Sequence, residues 1–332
     1  MTSIAGISSR LGNIAIGVQT AKGSPAASPL VKAFFCEAPT LQPYITDGRL
    51  NLTDGSRDQG DAYVSQIGVH GGAKLYAHPS LMAVLWHAVL GANGDAGAGD
   101  PFTHTATPAN DLPYLTIWRS VGGVVFEKYT DCKINQLTFE GQAGQPNTVA
   151  LDIMGITATF LASEVAGNPI TEVPYLFMHG AGALKVDTVA YPLHELSVVV
   201  NNNLQPFQAD NFNVDNIDPG SREISGTYMI RFSGATALPL DYRAYFYGND
   251  AGTAQTTGFS THALDFKFTH SLANRDMDIV VPVAKWADVP VQPDPAGNVI
   301  EVQCAFEVER FFSGGVEGNI MSVVTRDGNA TA

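Results

Sequence analysis

The stretch Tyr129–Gly155, YTDCKINQLTFEGQAGQPNTVALDIMG, decides the fold class. Leu137 and Phe139 lie two positions apart in its first half, and apolar residues alternate with other residues from Val149 to Ile153. Because side chains two apart on a strand share a face, this pattern predicts two strands, each with one apolar and one wetter face. The stretch is therefore predicted to be a β-hairpin.

A turn and a bulge complete the predicted hairpin. Gly141, Gly144 and Pro146 lie between the two runs, and they supply the positive φ and the fixed φ that turns use. The alternation slips phase between residues 134 and 137, which predicts a β-bulge near Asn135-Gln136. The residues of the hairpin do not form a catalytic motif.

The composition indicates a large folded chain that favours strands and turns. It has 332 residues, of which 45% are hydrophobic and 15% charged, with 33 Gly and 19 Pro. This is too apolar for a disordered chain, and it is enough for one large core or two ordinary ones. The charged fraction lies below the about 25% of a typical soluble domain, so we expect much of the surface to be neutral or covered by partners.

The charge balance argues against a protein that grips nucleic acid. The net charge is −14, from 32 acidic and 18 basic residues. Affinity for nucleic acid rests on Lys and Arg at phosphates, and this chain has few of either. An acidic surface would instead repel a polyanion.

Cysteine spacing and hydropathy indicate the cellular compartment in which the protein is made. Cys36, Cys132 and Cys304 are widely spaced and form no CxxC motif, which predicts reduced, packed thiols in a protein made in the cytoplasm. The N-terminus lacks the apolar core of a signal peptide. No run of about 18 apolar residues is present, so no membrane span is expected.

A charged loop is predicted after a first strand at residues 31–38. Residues 44–62, YITDGRLNLTDGSRDQGDA, contain the turn signals Asp47-Gly48 and Asp54-Gly55. The acidic residues do not have the spacing of an EF-hand, so a mobile charged loop is favoured over a calcium site.

Residues 78–91, HPSLMAVLWHAVLG, carry the clearest helix signal. Pro79 suits the first turn, and Gly91 suits the C-terminal cap. The segment is apolar on nearly all sides, which predicts a buried helix. His78 and His87 are too far apart for an i, i+4 metal pair, so a structural role is favoured for both.

The glycine-rich residues 91–99 follow the helix and do not precede one. A dinucleotide-binding loop follows a strand and opens a helix, so that assignment is rejected and a flexible connection is predicted. Short strands are predicted next, at residues 102–107, 114–119 and 124–129.

The second half repeats this order of signals. Its alternating apolar runs are 196–200, 224–232, 262–268 and 300–308. A shorter helix is predicted at 239–248, again ending in Gly. We therefore predict an internal duplication of one β-rich unit. The predicted divisions are an N-terminal arm at 1–33, a first unit at 34–160, a linker at 161–190, a second unit at 191–312 and a C-terminal arm at 313–332.

Enzymatic motifs are not evident in the sequence. It contains no Gly-x-Ser-x-Gly elbow, HExxH, P-loop or CxxC, and its eight histidines are scattered. We expect no enzyme, no catalytic residue, no cofactor and no metal.

Four stretches of the first half share a family likeness. They are GVQTAKGSPA at 17–26, LMAVLWHAVLG at 81–91, FTHTATPANDLPYLTIWR at 102–119 and FEKYTDCKINQLTFEGQAG at 126–144. Together they resemble the major tail tube proteins of long-tailed, siphovirus-type bacteriophages. The likeness covers most of residues 11–160, and the second half matches only in pattern.

The resemblance implies a mainly β fold made of tandem duplicated tail-tube units, each a β-sandwich or barrel with one flanking α-helix. Such units assemble into homo-oligomeric rings that stack into a tube, and the genome passes through the tube into the host bacterium. DNA would pass without specific binding, and no membrane anchor is implied. The other partners would be further tail proteins, and the virion would be assembled in the host cytoplasm.

Related rings contain six copies of a single unit. A chain of two units therefore predicts a trimer with pseudo-sixfold symmetry, with a hexamer as the alternative.

Two sets of charged residues are candidates for roles in such a tube. The ring-to-ring loop is predicted at Asp47, Arg49, Asp54, Arg57, Asp58 and Asp61, with a plain mobile loop as the alternative. The lumen charge is predicted at Glu301, Glu307 and Glu309, where an ordinary solvated exterior is equally compatible with the sequence. An acidic lumen would keep DNA sliding by repelling its phosphates.

Two other classes of protein remain open at this stage. One is a different viral assembly protein, such as a tail terminator or a capsid decoration protein. The other is a carbohydrate-active or carbohydrate-binding β-sandwich, whose site would be assembled across strands.

Overall fold

A computed structural model describes most of the chain. The described residues are 12–49, 61–166, 184–231, 244–247, 255, 261–270, 274–288, 301–310, 312–313 and 316–328. Long antiparallel strands dominate them, so the predicted mainly β fold is confirmed.

The described part of the first half contains ten strands and one long helix. The strands are β1 (Asn13–Val18), β2 (Val31–Phe34), β3 (Gln42–Arg49), β4 (Ala62–Tyr76), β5 (Gly91–Ala96), β6 (Phe102–Pro108), β7 (Leu115–Val121), β8 (Val125–Gln142), β9 (Thr148–Gly155) and β10 (Thr157–Phe160). Helix α1 (Pro79–Leu90) joins β4 to β5.

The second half contains twelve described strands and a short helix. The strands are β11 (Leu184–Val186), β12 (Val189–Tyr191), β13 (Leu193–Asn201), β14 (Gln205–Phe207), β15 (Asn216–Asp218), β16 (Glu223–Arg231), β17 (Thr261–Thr269), β18 (Asp276–Asp288), β19 (Glu301–Val308), β20 (Phe312–Ser313), β21 (Val316–Glu317) and β22 (Ser322–Asp327). Helix α2 (Ala244–Tyr247) follows β16, and the rest of the predicted helix at 239–248 lies outside the described residues.

The predicted hairpin is β8 and β9. Its register shifts between Ile134 and Gln136, so the predicted bulge is confirmed with Asn135 as the extra residue. Gly144 has a positive φ of 77° in the turn, as expected. Gly141 instead lies within β8. The hairpin turn is thus shorter than the glycine pattern suggests, because the strand pairing continues through Gly141 to the end of β8.

Helix α1 is the buried helix that the sequence predicts. His78 is its N-cap and accepts a hydrogen bond at Nδ1 from the Leu81 amide, at 3.3 Å. Gly91 closes the C-terminus with a φ of 106°. Burial lowers the pKa of His78 to about 3, so the ring is neutral and able to accept this bond. The structural role of His78 is therefore confirmed.

Two loop predictions are wrong. The residues that follow α1 form β5, which pairs with β6 from Gly91 to Ala96, instead of a flexible connection. Asp47-Gly48 is not a turn either, because both residues lie in β3 and pair with β4. In both cases cross-strand pairing overrides the local preference of glycine for turns.

Strands also occur in the stretches predicted to be arms. β1 lies within 1–33 and pairs with both β2 and β7. β22 lies within 313–332 and pairs with both β18 and β6. The division of the chain into arms, units and linker stays a prediction.

β8 connects two layers of the molecule. Its first part pairs with β7 and β10, and its second part pairs with β9 and β13. Asp131, between these parts, has a left-handed φ of 56°. This residue redirects the chain from the outer set β2-β1-β7-β8-β10 into the larger sheet.

The core lies against one face of the larger sheet. A row of core-facing residues crosses seven strands at Leu75, Val149, Phe139, Val198, Gly226, Phe306 and Trp286. Each of these residues is buried, Gly226 included. The apolar residues of both halves form one continuous core that also encloses α1.

The two halves pair their strands in the same order. The first half has the order β3-β4-β9-β8, and the second has β13-β16-β19-β18. β1 pairs with β2 and β7 just as β11 pairs with β12 and β17. The bulge at Asn135 in β8 also has a counterpart at Ala287 in β18. The order of pairing is thus the same for these strands of the two halves.

Candidate assembly surfaces

The halves meet where β8 pairs with β13. Seven consecutive residue pairs join the strands, from Gln136 opposite Asn201 to Gln142 opposite Glu195. This pairing makes one sheet of β3, β4, β9, β8, β13, β16, β19 and β18, in that order. Strand β13 of the second half therefore pairs with the edge of the β8–β9 hairpin of the first half.

The face of this sheet that points away from the core is polar and rich in carboxylates. Directly opposed residues share a face, and the acids on this face include Glu140, Asp152, Glu195, Glu223, Asp288, Glu301 and Glu307. Lys74 lies 3.2 Å from both Glu37 and Glu140. The hydrogen bond to Glu140 outweighs burial and raises the pKa of Lys74, so this lysine is held as a cation between carboxylates.

Two of the three predicted lumen residues lie on this polar face. Glu301 and Glu307 are exposed on β19, where the buried residues alternate with them. Glu309 follows the strand and is also exposed. Lys285 bridges Glu307 at 3.0 Å and Glu309 at 3.5 Å. The structure thus brings Glu307 and Glu309 together, and the assignment of the three to a lumen stays a prediction.

A shallow cavity of about 460 Å³ opens on the same face near the β8–β9 turn. Its walls include Glu140, Gln142, Glu195, Thr227 and Gln303. The lining is mostly polar, with carboxylate and amide groups from strands of both halves. Such a surface suits contact with water or with a polar protein surface better than an apolar ligand.

The β3–β4 hairpin extends beyond the end of this sheet. Its strands pair with each other from Gln42–His70 to Arg49–Ala62, and most of β3 is exposed. Two tyrosine rings cross over glycines of the opposite strand, Tyr44 over Gly68 and Tyr63 over Gly48. These contacts stiffen a strand pair that has little core of its own.

Three of the predicted ring-to-ring residues belong to this hairpin or adjoin it. Asp47 and Arg49 are exposed on β3 with their charged groups 4.0 Å apart, and Asp61 is exposed just before β4. Asp54, Arg57 and Asp58 lie outside the described residues. The role of all six in ring contact stays a prediction.

A second hairpin, β14–β15, packs beside the first and was missed in the sequence. The Ile67 amide donates to the Phe212 carbonyl at 2.7 Å, and Gln208 donates to the Ser65 carbonyl at 2.9 Å. A cavity of about 700 Å³ lies between the two hairpins, lined by residues such as Tyr44, His70, Met154, Pro206 and Ile217.

Little in the local pattern could have revealed this second hairpin. β14 and β15 are only three residues each, and one of them contains a proline. β13 precedes this hairpin in the chain and β16 follows it, so the pairing of β13 with β16 determines where the hairpin lies.

A buried histidine fastens the C-terminal strand to the first half. His104 on β6 lies 2.6 Å from Asp95 of β5 and 3.0 Å from Asp327 of β22, and its side chain is 1% exposed. Burial opposes protonation, but the hydrogen bonds to the two aspartates outweigh it and raise the pKa of His104 to about 9. At neutral pH His104 is therefore a cation that donates to both carboxylates.

The cysteines are free, as predicted. Cys132 and Cys304 are buried, and Cys36 is half-buried. Burial raises the pKa of Cys132, with a smaller contribution from Asp131. Burial is likewise the main cause that raises the pKa of Cys36. Cys132 and Cys304 help to fill the core, and the raised pKa makes the thiols of Cys132 and Cys36 poor nucleophiles.

The described residues contain neither a cluster of metal ligands nor a membrane-spanning helix. In that part of the chain, no three His, Cys, Asp or Glu side chains are arranged to hold a metal ion. None of its helices is long and apolar enough to cross a membrane.

Comparison with known proteins places the chain in a family. A family model described as phage tail tube protein matches residues 9–308. The chain belongs to the phage tail tube protein family. The resemblance seen in the sequence is thereby confirmed, and the match extends across the second half as well. No curated protein matches the chain.

Membership defines the role in outline. A phage tail tube protein is a structural component of the virion that self-assembles and associates with other tail proteins. The candidate surfaces for this assembly are accordingly the sheet edges, the projecting hairpins and the polar face.

Proposed function

We propose that this chain forms rings that stack into a tail tube, through which the phage genome passes into the host bacterium. The observation that carries the proposal is the pairing of β8 with β13 inside one chain. Because β3-β4-β9-β8 and β13-β16-β19-β18 pair in the same order, the same step repeated between chains closes a sheet into a ring. Closure of this kind removes open sheet edges.

The matched pairings support an internal duplication with two tail-tube units per chain. β8 and β9 correspond to β18 and β19, and α1 corresponds in order to α2. Three such chains supply six units, so the proposed ring is a trimer with pseudo-sixfold symmetry. The predicted units at 34–160 and 191–312 include the hairpins β8–β9 and β18–β19 respectively.

The polar face suits the inner surface of the tube. It runs without interruption from β4 to β19 across both halves, and most of its exposed charge is carboxylate. Such a surface repels the phosphates of DNA, so the genome slides without specific binding. Glu301, Glu307 and Glu309 are proposed to contribute to it. The proposed role is structural and not enzymatic.

The projecting hairpins suit contact between rings. On β4, Tyr76 pairs beside the β8–β9 turn, and Val69 pairs at the other end of β9. The β3–β4 hairpin continues beyond Val69, so it projects from the end of the sheet that is opposite the β8–β9 turn. Stacked rings would bring the hairpin of one ring against the turn end of the next. Many weak contacts repeated around a ring are sufficient to hold a stack.

Electron cryomicroscopy of purified protein tests the proposal. The expected result is a tube with a central hole, in which each ring has three chains and six similar lobes. Six chains per ring would refute the trimeric ring but would not contradict the tube. Discrete monomers that bind a polysaccharide column would overturn the tube itself. The family match favours a tail tube over a tail terminator, a capsid decoration protein or a carbohydrate-binding β-sandwich.

A further inference from the structure

Two corresponding strands differ in how their outer edges are used. β22 lies between β18 and β6, and its pairing with β6 runs from Val323 opposite Ala106 to Asp327 opposite Phe102. β10, among the described strands, pairs only with β8. One edge is thus closed by a strand, and the other has no partner strand in the part of the chain that the structure describes.

The correspondence between β10 and β22 follows from residue pairs. Phe160 lies opposite Glu127 on β8, and Val323 lies opposite Ile279 on β18. When the bulges at Asn135 and Ala287 are matched, Glu127 and Ile279 occupy the same position. A second irregularity supports this alignment, since the pairing of β7 with β8 and that of β17 with β18 shift at corresponding places.

The closed edge shows what a partner strand does there. β6 belongs to the first half, yet it completes a sheet of the second half by pairing with β22. Val323, Thr325 and Asp327 are almost fully buried as a result. His104 then fixes the register through its bond to Asp327.

The open edge has the opposite properties. All four residues of β10 are exposed, and the Phe160 side chain is 68% exposed. By the same alignment residues 160–164 are the counterpart of 323–327, but Glu164, unlike Asp327, bonds to side chains of its own half, those of Lys32 on β2 and Asn13 on β1. An exposed edge with a large apolar side chain is a template for strand addition.

We propose that this open edge, β10 with residues 161–164, binds a strand from a neighbouring copy of the same chain. The inference rests on the proposed ring. Within one chain, a strand of the first half reaches β22 of the second half. The same step repeated around the ring brings a strand of one chain's second half to β10 of the next chain. Neighbouring chains are then joined in the outer layer as well as in the inner sheet.

Hydrogen–deuterium exchange of free chains and of assembled tubes tests the proposal. The amides of residues 157–164 are expected to exchange at least tenfold more slowly in tubes. The exposed turn residues Gly123 and Val124 are the internal control, and their amides should exchange at the same rate in both states. If exchange at 157–164 is unchanged in tubes, the strand-binding proposal is refuted, but the proposed ring is not contradicted. Failure of the protein to form rings or tubes would overturn both.

A pair of matched variants gives a second test. Phe160→Glu and Val124→Glu each place a charge at an exposed apolar position, 68% and 53% exposed respectively. Both are expected to keep the melting temperature of the free chain. Phe160→Glu should raise the concentration needed for tube assembly at least tenfold, and Val124→Glu should leave it unchanged. Equal effects of the two variants would contradict the proposal.

Discussion

Gln136 and Asn201 lie directly opposite each other on β8 and β13, at the junction between the two halves of the chain. Their counterparts in the other halves are Asp288, which follows the bulge in β18, and Tyr44 on β3. Among the described strands, β3 has β4 as its only partner. The ring model therefore predicts that Asp288 of one chain faces Tyr44 of the next.

Cysteine cross-linking checks this register. Opposed residues of antiparallel strands lie about 4.5–5.5 Å apart at Cα, within the about 4.4–6.8 Å that a disulfide spans. The double variant Asp288→Cys and Tyr44→Cys should form dimers and trimers on a non-reducing gel when tubes are oxidised. Each single variant, and Asp288→Cys combined with Arg49→Cys, should not. A ladder of six bands would contradict the three-chain ring.

The alkaline side of the stability profile should depend on His104. Its pKa in the folded chain is raised to about 9, above the ordinary value of 6.5. The folded state therefore binds more protons than the unfolded state between these values. This stabilisation is complete below pH 6.5 and is lost as the pH rises through 9.

The variant His104→Gln separates this contribution from others. The melting temperature of the wild-type protein should fall from pH 7 to pH 10, and that of the variant should change less over the same range. At pH 7 the variant should be less stable by about 1.5–3 kcal/mol, the usual value of a hydrogen bond to a charged group. Scanning calorimetry measures both. A variant profile parallel to the wild-type profile would refute the assignment.

The end of α1 should be sensitive to one residue of the second half. Asn202 donates from Nδ2 to the carbonyls of Val89 and Ile134, each at 3.1 Å, and it is 2% exposed. Asn202→Ala would leave these buried carbonyls without that donor, which costs about 1–3 kcal/mol. Urea denaturation measures the loss. Gln145→Ala, at an exposed turn position, serves as the control and should change stability by less than about 0.5 kcal/mol.

Gly91 should resist substitution. It has a φ of 106°, and a Cβ there would collide with the backbone carbonyl oxygen of Asp111. Gly91→Ala is therefore expected to cost about 2 kcal/mol or more, from left-handed strain and from the collision. Gly94→Ala is the matched control, because Gly94 has no atom within 3.9 Å of the added Cβ. Equal denaturation midpoints for the two variants would contradict this reasoning.

Charge reversal on the polar face should create affinity for DNA. Glu301→Lys with Glu307→Lys replaces two exposed carboxylates by ammonium groups on one strand. Tubes of this variant are expected to retain DNA fragments at low salt and to release them at high salt, and wild-type tubes are not. Asp265→Lys on β17 is the control. Anisotropy of labelled DNA measures retention, and equal retention by both variants would place Glu301 and Glu307 away from the lumen.

The fold was predictable where one strand or helix carried its own signal. The alternation on β9 and β19 and the caps of α1 were each sufficient to place an element. Even the bulge at Asn135 followed from a slip in the pattern. These signals are local, and the sequence displays them directly.

The remaining features depend on pairing between distant residues. β5 reads as a glycine-rich loop, and it is a strand because β6 pairs with it and with β22. His104 has no metal or catalytic motif around it, and its partner Asp327 is more than two hundred positions away. The charged candidates could be placed on a face, but a lumen or a ring contact is a property of the assembly and not of one chain.

The burial of α1 has a consequence for synthesis. Trp86 donates to the Met277 sulfur at 3.2 Å, across 191 positions of sequence, and the helix also packs against β22 near the end of the described chain. During translation the apolar helix leaves the ribosome long before these partners exist. The nascent chain therefore carries unprotected apolar surface for most of its synthesis, and it should need chaperones until the last strand is made.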